Sequence, residues 1–112
     1  MPGQVILVLT QLPDRASADA LAAALVGARL AACVSVGAPV GSLYHWRGKV
    51  ETAKEVPVAV KTVAARYAEV ESAIRACHPY ELPEIVAVPV CDGFRPYLDW
   101  IAREATGEPD AS

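Results

Sequence analysis

Cysteines are few in this sequence and long hydrophobic runs are missing, and both absences narrow the class of protein. Cys33, Cys77 and Cys91 are widely spaced and form no Cys-x-x-Cys pair, so neither a disulfide framework nor a structural zinc site is indicated. Hydrophobic residues make up 54% of the chain, yet each apolar run is shorter than a membrane-spanning helix requires. We expect no membrane segment, and the surplus of apolar residues would suit a subunit interface.

A strong charge bias is missing as well. The net charge is −3, and the 10 basic and 13 acidic residues are intermixed, which argues against nucleic acid as the main partner. The first residues lack the basic region and cleavage site of a secretory signal, so we expect a cytoplasmic protein. The sequence contains no phosphate-binding glycine loop, no serine elbow and no credible pair of catalytic carboxylates. An enzyme is therefore the least supported class, and no cofactor is required.

Hydrophobic periodicity divides residues 1–107, which we expect to form a single domain, into strands and helices; residues 108–112 should fray as a tail. The unbroken apolar run at residues 5–9 predicts a central strand that is covered on both faces. Further strands are predicted at residues 33–36, which resume at Ser42 after a bend, and at 49–62 and 85–90. Helices are predicted to begin near Asp14, Val63 and Pro96.

A long hairpin joins the second and third of these strands. Gly48 supplies the positive φ of a two-residue turn at positions 47 and 48. This turn places Trp46 opposite Lys49 and Tyr44 opposite Glu51, with all four side chains on one face of the hairpin.

The order of elements predicts an α+β fold of the ferredoxin-like βαββαβ type with an extra C-terminal helix. Its antiparallel sheet has the usual strand order 4-1-3-2, and its helices lie on one face. Pro89 suits the edge position that this order gives to the last strand. Pro57 falls within an inner strand, where a proline cannot donate to the ladder, so we predict an irregularity near it.

Residues 78–84, His-Pro-Tyr-Glu-Leu-Pro-Glu, form a stiff connector between the second long helix and the last strand. Each proline fixes its own φ and biases the preceding residue towards extended backbone. Polar side chains on such a connector are candidates for a binding site.

Several segments together resemble the CutA family of divalent-cation tolerance proteins, namely residues 29–34, 43–51, 60–62, 78–84 and 97–100. The resemblance implies a ferredoxin-like subunit assembled as a homotrimer, with the hairpin reaching into neighbouring subunits. It also implies a role in tolerance of copper and other divalent cations, without a defined reaction. This chain has Thr10 where some members carry a cysteine, and Pro57 where other members have a residue able to donate to the ladder.

Three residues of the connector are candidate ligands for a divalent ion: His78, Glu81 and Glu84. One subunit then offers one imidazole and two carboxylates, which predicts weak binding of Cu(II) or a similar ion unless trimer symmetry multiplies the ligands. The alternative for His78 is a structural role at the helix end. Cys33 and Cys77 are predicted to lie in the core, Cys91 is predicted to be the most exposed thiol, and His45 is expected to be an exposed strand residue.

Aromatic residues interleaved with charges suggest a second kind of site. Such residues make a pocket for a small molecule, or they pack a trimer contact. The set comprises Tyr44, Trp46, Glu51, Lys61, Tyr80 and Trp100. A PII-like trimeric sensor that binds a small metabolite between subunits and signals to a partner protein is the alternative function.

Overall fold

The computed structural model describes residues 3–108, in which five strands and three helices follow the predicted order. Of the tail expected at residues 108–112, residues 109–112 lie outside this range. Within the described range, no helix is both long and apolar enough to cross a bilayer. The elements are β1 (Val5–Leu12), α1 (Arg15–Gly27), β2 (Cys33–Val36), β3 (Val40–Trp46), β4 (Lys49–Val63), a 3₁₀ turn (Ala64–Arg66), α2 (Tyr67–Cys77), β5 (Ile85–Pro89) and α3 (Arg95–Glu104).

The strands form one antiparallel sheet in the order β2-β4-β1-β5, with β3 paired to the outer half of β4. Because β2 and β3 together correspond to the predicted second strand, this order matches the predicted 4-1-3-2. The ferredoxin-like α+β fold is confirmed, and β5 occupies the predicted edge position. At 15 residues, β4 is the longest strand, and its outer half extends beyond the rest of the sheet with β3.

Two apolar clusters lie on opposite faces of the sheet. On the first face, α1 and α2 pack on alternate residues of the central strands, and Val8, Val60 and Ile74 are fully buried there. On the opposite face, Ile101 of α3 packs with Val5 and Val63 at one end of β1 and β4. The extra C-terminal helix therefore covers part of the face that α1 and α2 leave open.

The rest of that opposite face, which we call the second face, is partly exposed. Strand pairing places Leu7 opposite Val88 and Leu9 opposite Val86, so these four side chains share the face. Leu7 and Leu9 are half-buried, and Val86 and Val88 are 47% and 43% exposed. The prediction that the first strand is covered on both faces therefore holds fully for one face within a single chain.

Pro57 is accommodated without an interruption of β4. The Gly37 N–H donates to the Pro57 carbonyl at 2.9 Å, and on its other side Pro57 pairs with Gln11 of β1. The N and C=O of a strand residue point to the same side, so the missing N–H of Pro57 faces the break between β2 and β3. The predicted irregularity is the break between β2 and β3. Gly37 in this break leaves space for the proline ring, since a Cβ at position 37 would lie 2.9 Å from that ring.

One predicted helix start needs correction. Val63 ends β4, and α2 begins at Tyr67 after a 3₁₀ turn, because Val63 pairs with Val5 in the sheet. The first helix, α1, ends at Gly27, and Ala28 is its C-cap residue. At the other end of α1, the Asp14 carboxylate accepts a hydrogen bond from the Ser17 N–H at 2.7 Å.

Two buried threonines differ in how their hydroxyls are satisfied. Thr62, which is fully buried, donates to the Leu30 carbonyl at 2.7 Å. Thr10 is 1% exposed, and its hydroxyl has no hydrogen-bond partner among the described residues. The two positions therefore form a natural comparison for the energetics of buried hydroxyls.

Candidate functional site

The connector between α2 and β5 is fixed to the sheet by His78. This residue follows the last turn of α2, where its N–H donates to the Ile74 carbonyl at 2.9 Å. The residue is 9% exposed, with Nε2 lying 2.6 Å from the Gln11 carbonyl and Nδ1 accepting the Tyr80 N–H at 3.2 Å. Since Nδ1 accepts, Nε2 must carry the proton that is donated to Gln11. Both ring nitrogens are thus engaged in holding the connector.

The β3–β4 hairpin has the predicted register. Trp46 pairs with Lys49 and Tyr44 pairs with Glu51. Arg47 and Gly48 have φ values of 51° and 79°, the two positive values that a type I′ turn requires.

The guanidinium at the hairpin turn links the hairpin to the connector. Arg47 lies 5.4 Å from the ring centroid of Trp46, and its Nη2 lies 2.8 Å from the Glu81 carboxylate. The Arg47 and Glu81 side chains are 72% and 69% exposed, so this ion pair is a weak surface contact.

A groove of about 730 Å³ runs between the hairpin and the connector. Its walls include three aromatic rings and three carboxylates, namely Tyr44, Trp46, Tyr80, Glu55, Glu81 and Glu84. The volume falls within the range of small-molecule sites, which combine apolar walls with a few polar groups. We refer to this feature as the acidic groove.

Tyr80 connects the two sides of the acidic groove. Burial raises the pKa of its phenol first, and the neighbouring Glu55 carboxylate raises that pKa further through charge and a side-chain hydrogen bond. The ring of Tyr80 also lies 4.6 Å from that of His78. The anchored histidine therefore positions an aromatic wall as well as the connector backbone.

The structure brings together only part of the predicted pocket set. Tyr44, Trp46 and Tyr80 line the acidic groove, whereas Glu51, Lys61 and Trp100 are not among its lining residues.

The residues outside the groove lie elsewhere on the sheet or on α3. Lys61 is six residues from Glu55 along β4, about 20 Å at strand spacing, and its Nζ lies 2.7 Å from the Ser35 hydroxyl. Trp100 stacks on Tyr97 of α3 at 5.7 Å between ring centroids. Glu55 is the charged groove residue that the sequence prediction missed, and the alternation of side chains along β4 was the available signal.

The predicted metal ligands do not converge within one chain. Glu81 and Glu84 are exposed at the groove, while His78 is buried beneath it with both nitrogens engaged. Across residues 3–108, no three His, Cys, Asp or Glu side chains are grouped closely enough to hold a metal ion. The assignment of His78, Glu81 and Glu84 as ligands stays a prediction.

The cysteines correct part of the sequence interpretation. Cys77, predicted to be a core residue, is exposed at the last position of α2, where its thiol contacts the Ile74 carbonyl at 3.4 Å. Partial burial nevertheless raises the pKa of the Cys77 thiol. Cys33 is half-buried on β2, so it is not a full core residue, and Cys91 is exposed as predicted.

These features define a ferredoxin-like α+β protein with a groove between its long hairpin and the connector. Comparison with known proteins identifies the family within this class.

The family model described as CutA1 divalent ion tolerance protein matches residues 6–104. The divalent-cation tolerance protein CutA of Thermus thermophilus is 43% identical over 101 residues, which is 90% of this chain and 97% of that protein. Protein CutA of Bos taurus is 36% identical over 112 residues, and this chain spans 63% of its length.

Solved structures agree with the sequence matches. CutA from Xylella fastidiosa has a TM-score of 0.88 and 40% identity, with coverage of 91% of this chain and 98% of that chain. CutA1 from Shewanella sp. SIB1 has a TM-score of 0.89 and 40% identity, with coverage of 92% and 96% respectively. The chain therefore belongs to the CutA family of divalent-ion tolerance proteins.

Proposed function

We propose that this protein supports tolerance of divalent cations as a homotrimer that binds copper or another divalent ion weakly. Its family supplies the tolerance role, and the observation that supports assembly is the partly exposed second face of the sheet. Val86 and Val88 are 47% and 43% exposed there, beside half-buried Leu7 and Leu9. Burial of such an apolar face against further copies of the chain would remove it from water.

A charge placed on the second face tests this assembly. We expect the wild type to sediment at three times its monomer mass and Val88→Glu to sediment at a lower mass, because a carboxylate buried at an interface loses its hydration. Val26→Glu on α1 is the matched control, since Val26 is 44% exposed but lies on a helix. A monomeric wild type, or equal dissociation of the two variants, would contradict the proposal.

For the metal site we propose the carboxylates of the connector, Glu81 and Glu84, completed by ligands from further copies of the chain, since no three such ligands are grouped within the described residues of one chain. A site built from oxygen ligands is consistent with weak binding, since imidazole and thiolate are stronger ligands for copper. His78, the third predicted ligand, would have to release Gln11 or Tyr80 before it could join them.

Calorimetric titration with Cu(II) tests this ligand set. We expect weaker binding by Glu84→Gln than by the wild type, and unchanged binding by Glu51→Gln, which alters an exposed carboxylate outside the groove lining. Binding that is equal in all three proteins would remove Glu84 from the site.

A second candidate function is the PII-like sensor of a small metabolite, and the aromatic walls of the acidic groove favour it. A specific ligand should raise the melting temperature by mass action in a thermal-shift screen. The cytoplasmic location stays a prediction, and one structural relative, CutA from Archaeoglobus fulgidus, is described as periplasmic.

A further inference from the structure

The walls and charges of the acidic groove together fit one class of ligand. Three aromatic rings and three carboxylates line it, and among the described residues that line the groove no side chain is basic. Carboxylates attract any cation, whereas aromatic faces add attraction mainly for cations that shed their water. A hydrated metal ion gains little from the rings, and a neutral metabolite gains little from the charges. The combination indicates an organic cation.

One cation of the chain already uses this chemistry at the mouth of the groove. The Arg47 guanidinium lies 5.4 Å from the Trp46 ring centroid and its Nη2 lies 2.8 Å from the Glu81 carboxylate. The same ring and the same carboxylate are thus available to a cation that enters from solvent. Because the Arg47 and Glu81 side chains are 72% and 69% exposed, a ligand can replace the guanidinium with little loss.

We propose that the acidic groove binds an aliphatic polyamine, a linear chain of methylene groups that carries several ammonium groups. Its ammonium groups would pair with Glu55, Glu81 and Glu84, and its methylene groups would pack on the aromatic walls. This inference specifies the ligand of the second candidate function, and it rests on the groove staying open in the assembled protein. It does not depend on copper binding.

Fluorescence titration with spermidine tests the proposal on the whole protein. The chain has two tryptophans, so Trp100→Phe leaves Trp46 as the only one and makes its emission report on the groove. At a fixed ionic strength of about 0.15 M, we expect saturable quenching by spermidine at concentrations at least about tenfold below those needed for Mg²⁺. Equal titration curves for the two cations would overturn the polyamine assignment and leave the proposed divalent-cation site intact.

Calorimetry on variants separates spermidine binding in the groove from general electrostatic attraction to the acidic surface. We expect Glu84→Gln and Trp46→Leu each to weaken spermidine binding about fivefold or more, and Glu51→Gln to leave it unchanged. Arg47→Asn, which tolerates the positive φ of the turn, should strengthen binding about two- to fivefold by removing the internal competitor. Absence of saturable binding, equal losses in Glu84→Gln and Glu51→Gln, or weaker binding by Arg47→Asn would each overturn the proposal.

Discussion

Replacement of His78 tests whether this residue holds the connector in place. The residue is 9% exposed, and its ring makes two hydrogen bonds, at 2.6 Å to the Gln11 carbonyl and at 3.2 Å from the Tyr80 N–H. His78→Ala leaves both backbone groups without their partner. At about 0.5–1.5 kcal/mol for each hydrogen bond and about 1 kcal/mol for lost apolar burial, we expect the free energy of unfolding to fall by about 2–4 kcal/mol.

Urea denaturation at a fixed protein concentration measures this loss. With an m-value of about 2 kcal/mol/M, the midpoint of His78→Ala should fall by about 1–2 M. His78→Gln retains a donor and an acceptor and should recover part of the loss. His45→Ala, at an exposed position of β3, is the control and should change stability by less than about 0.5 kcal/mol.

The opposite pattern would refute this reasoning. A metal ligand that is not needed for structure would leave the urea midpoint of His78→Ala unchanged and weaken Cu(II) binding by the folded variant. A structural anchor lowers the midpoint of His78→Ala, and His78→Gln should then recover part of that loss. The two variants measured together therefore separate a ligand from an anchor.

Three further perturbations follow from the fold. Thr62→Val should lower the free energy of unfolding by about 1–3 kcal/mol because a buried carbonyl loses its donor, whereas Thr10→Val should leave it unchanged or raise it. Equal losses in urea titrations of the two variants would contradict this difference. Gly37→Ala should cost about 1–3 kcal/mol through contact with the Pro57 ring, and a Pro57→Ala background should reduce that loss. A double-mutant cycle with zero coupling would count against the contact. Hydrogen bonds from Ser17 in the first turn of α1 lower the pKa of Asp14 below 3.8. The ionised carboxylate therefore stabilises the fold above about pH 4, and this contribution is lost as the pH falls through the pKa of Asp14 in the folded protein. The difference in melting temperature between wild type and Asp14→Asn should therefore shrink between about pH 4 and pH 2, and a constant difference would refute the capping role.

The sequence predicted the features that depend on local periodicity and turn chemistry. The two-residue turn at positions 47 and 48 predicted the cross-strand pairs Trp46–Lys49 and Tyr44–Glu51, because a turn of this length allows only one strand register. The order of the elements predicted the sheet order, since few topologies accommodate that order. Pro89 correctly indicated an edge strand. The connector at residues 78–84 was also recognised as part of a candidate site.

The tertiary structure decided which of these pieces meet. Long-range packing brings the connector against the hairpin, so Glu55 joins the groove while Lys61 and Trp100 lie outside its lining. A local sequence pattern does not predict such contacts, since each contact depends on residues that are far apart in the chain. The role of His78 also depends on distant residues, because one ring nitrogen bonds to Gln11 of β1 and the other to Tyr80 of the connector. The sequence therefore determined the elements and their register, and three-dimensional packing determined the groove and the anchoring role of its histidine.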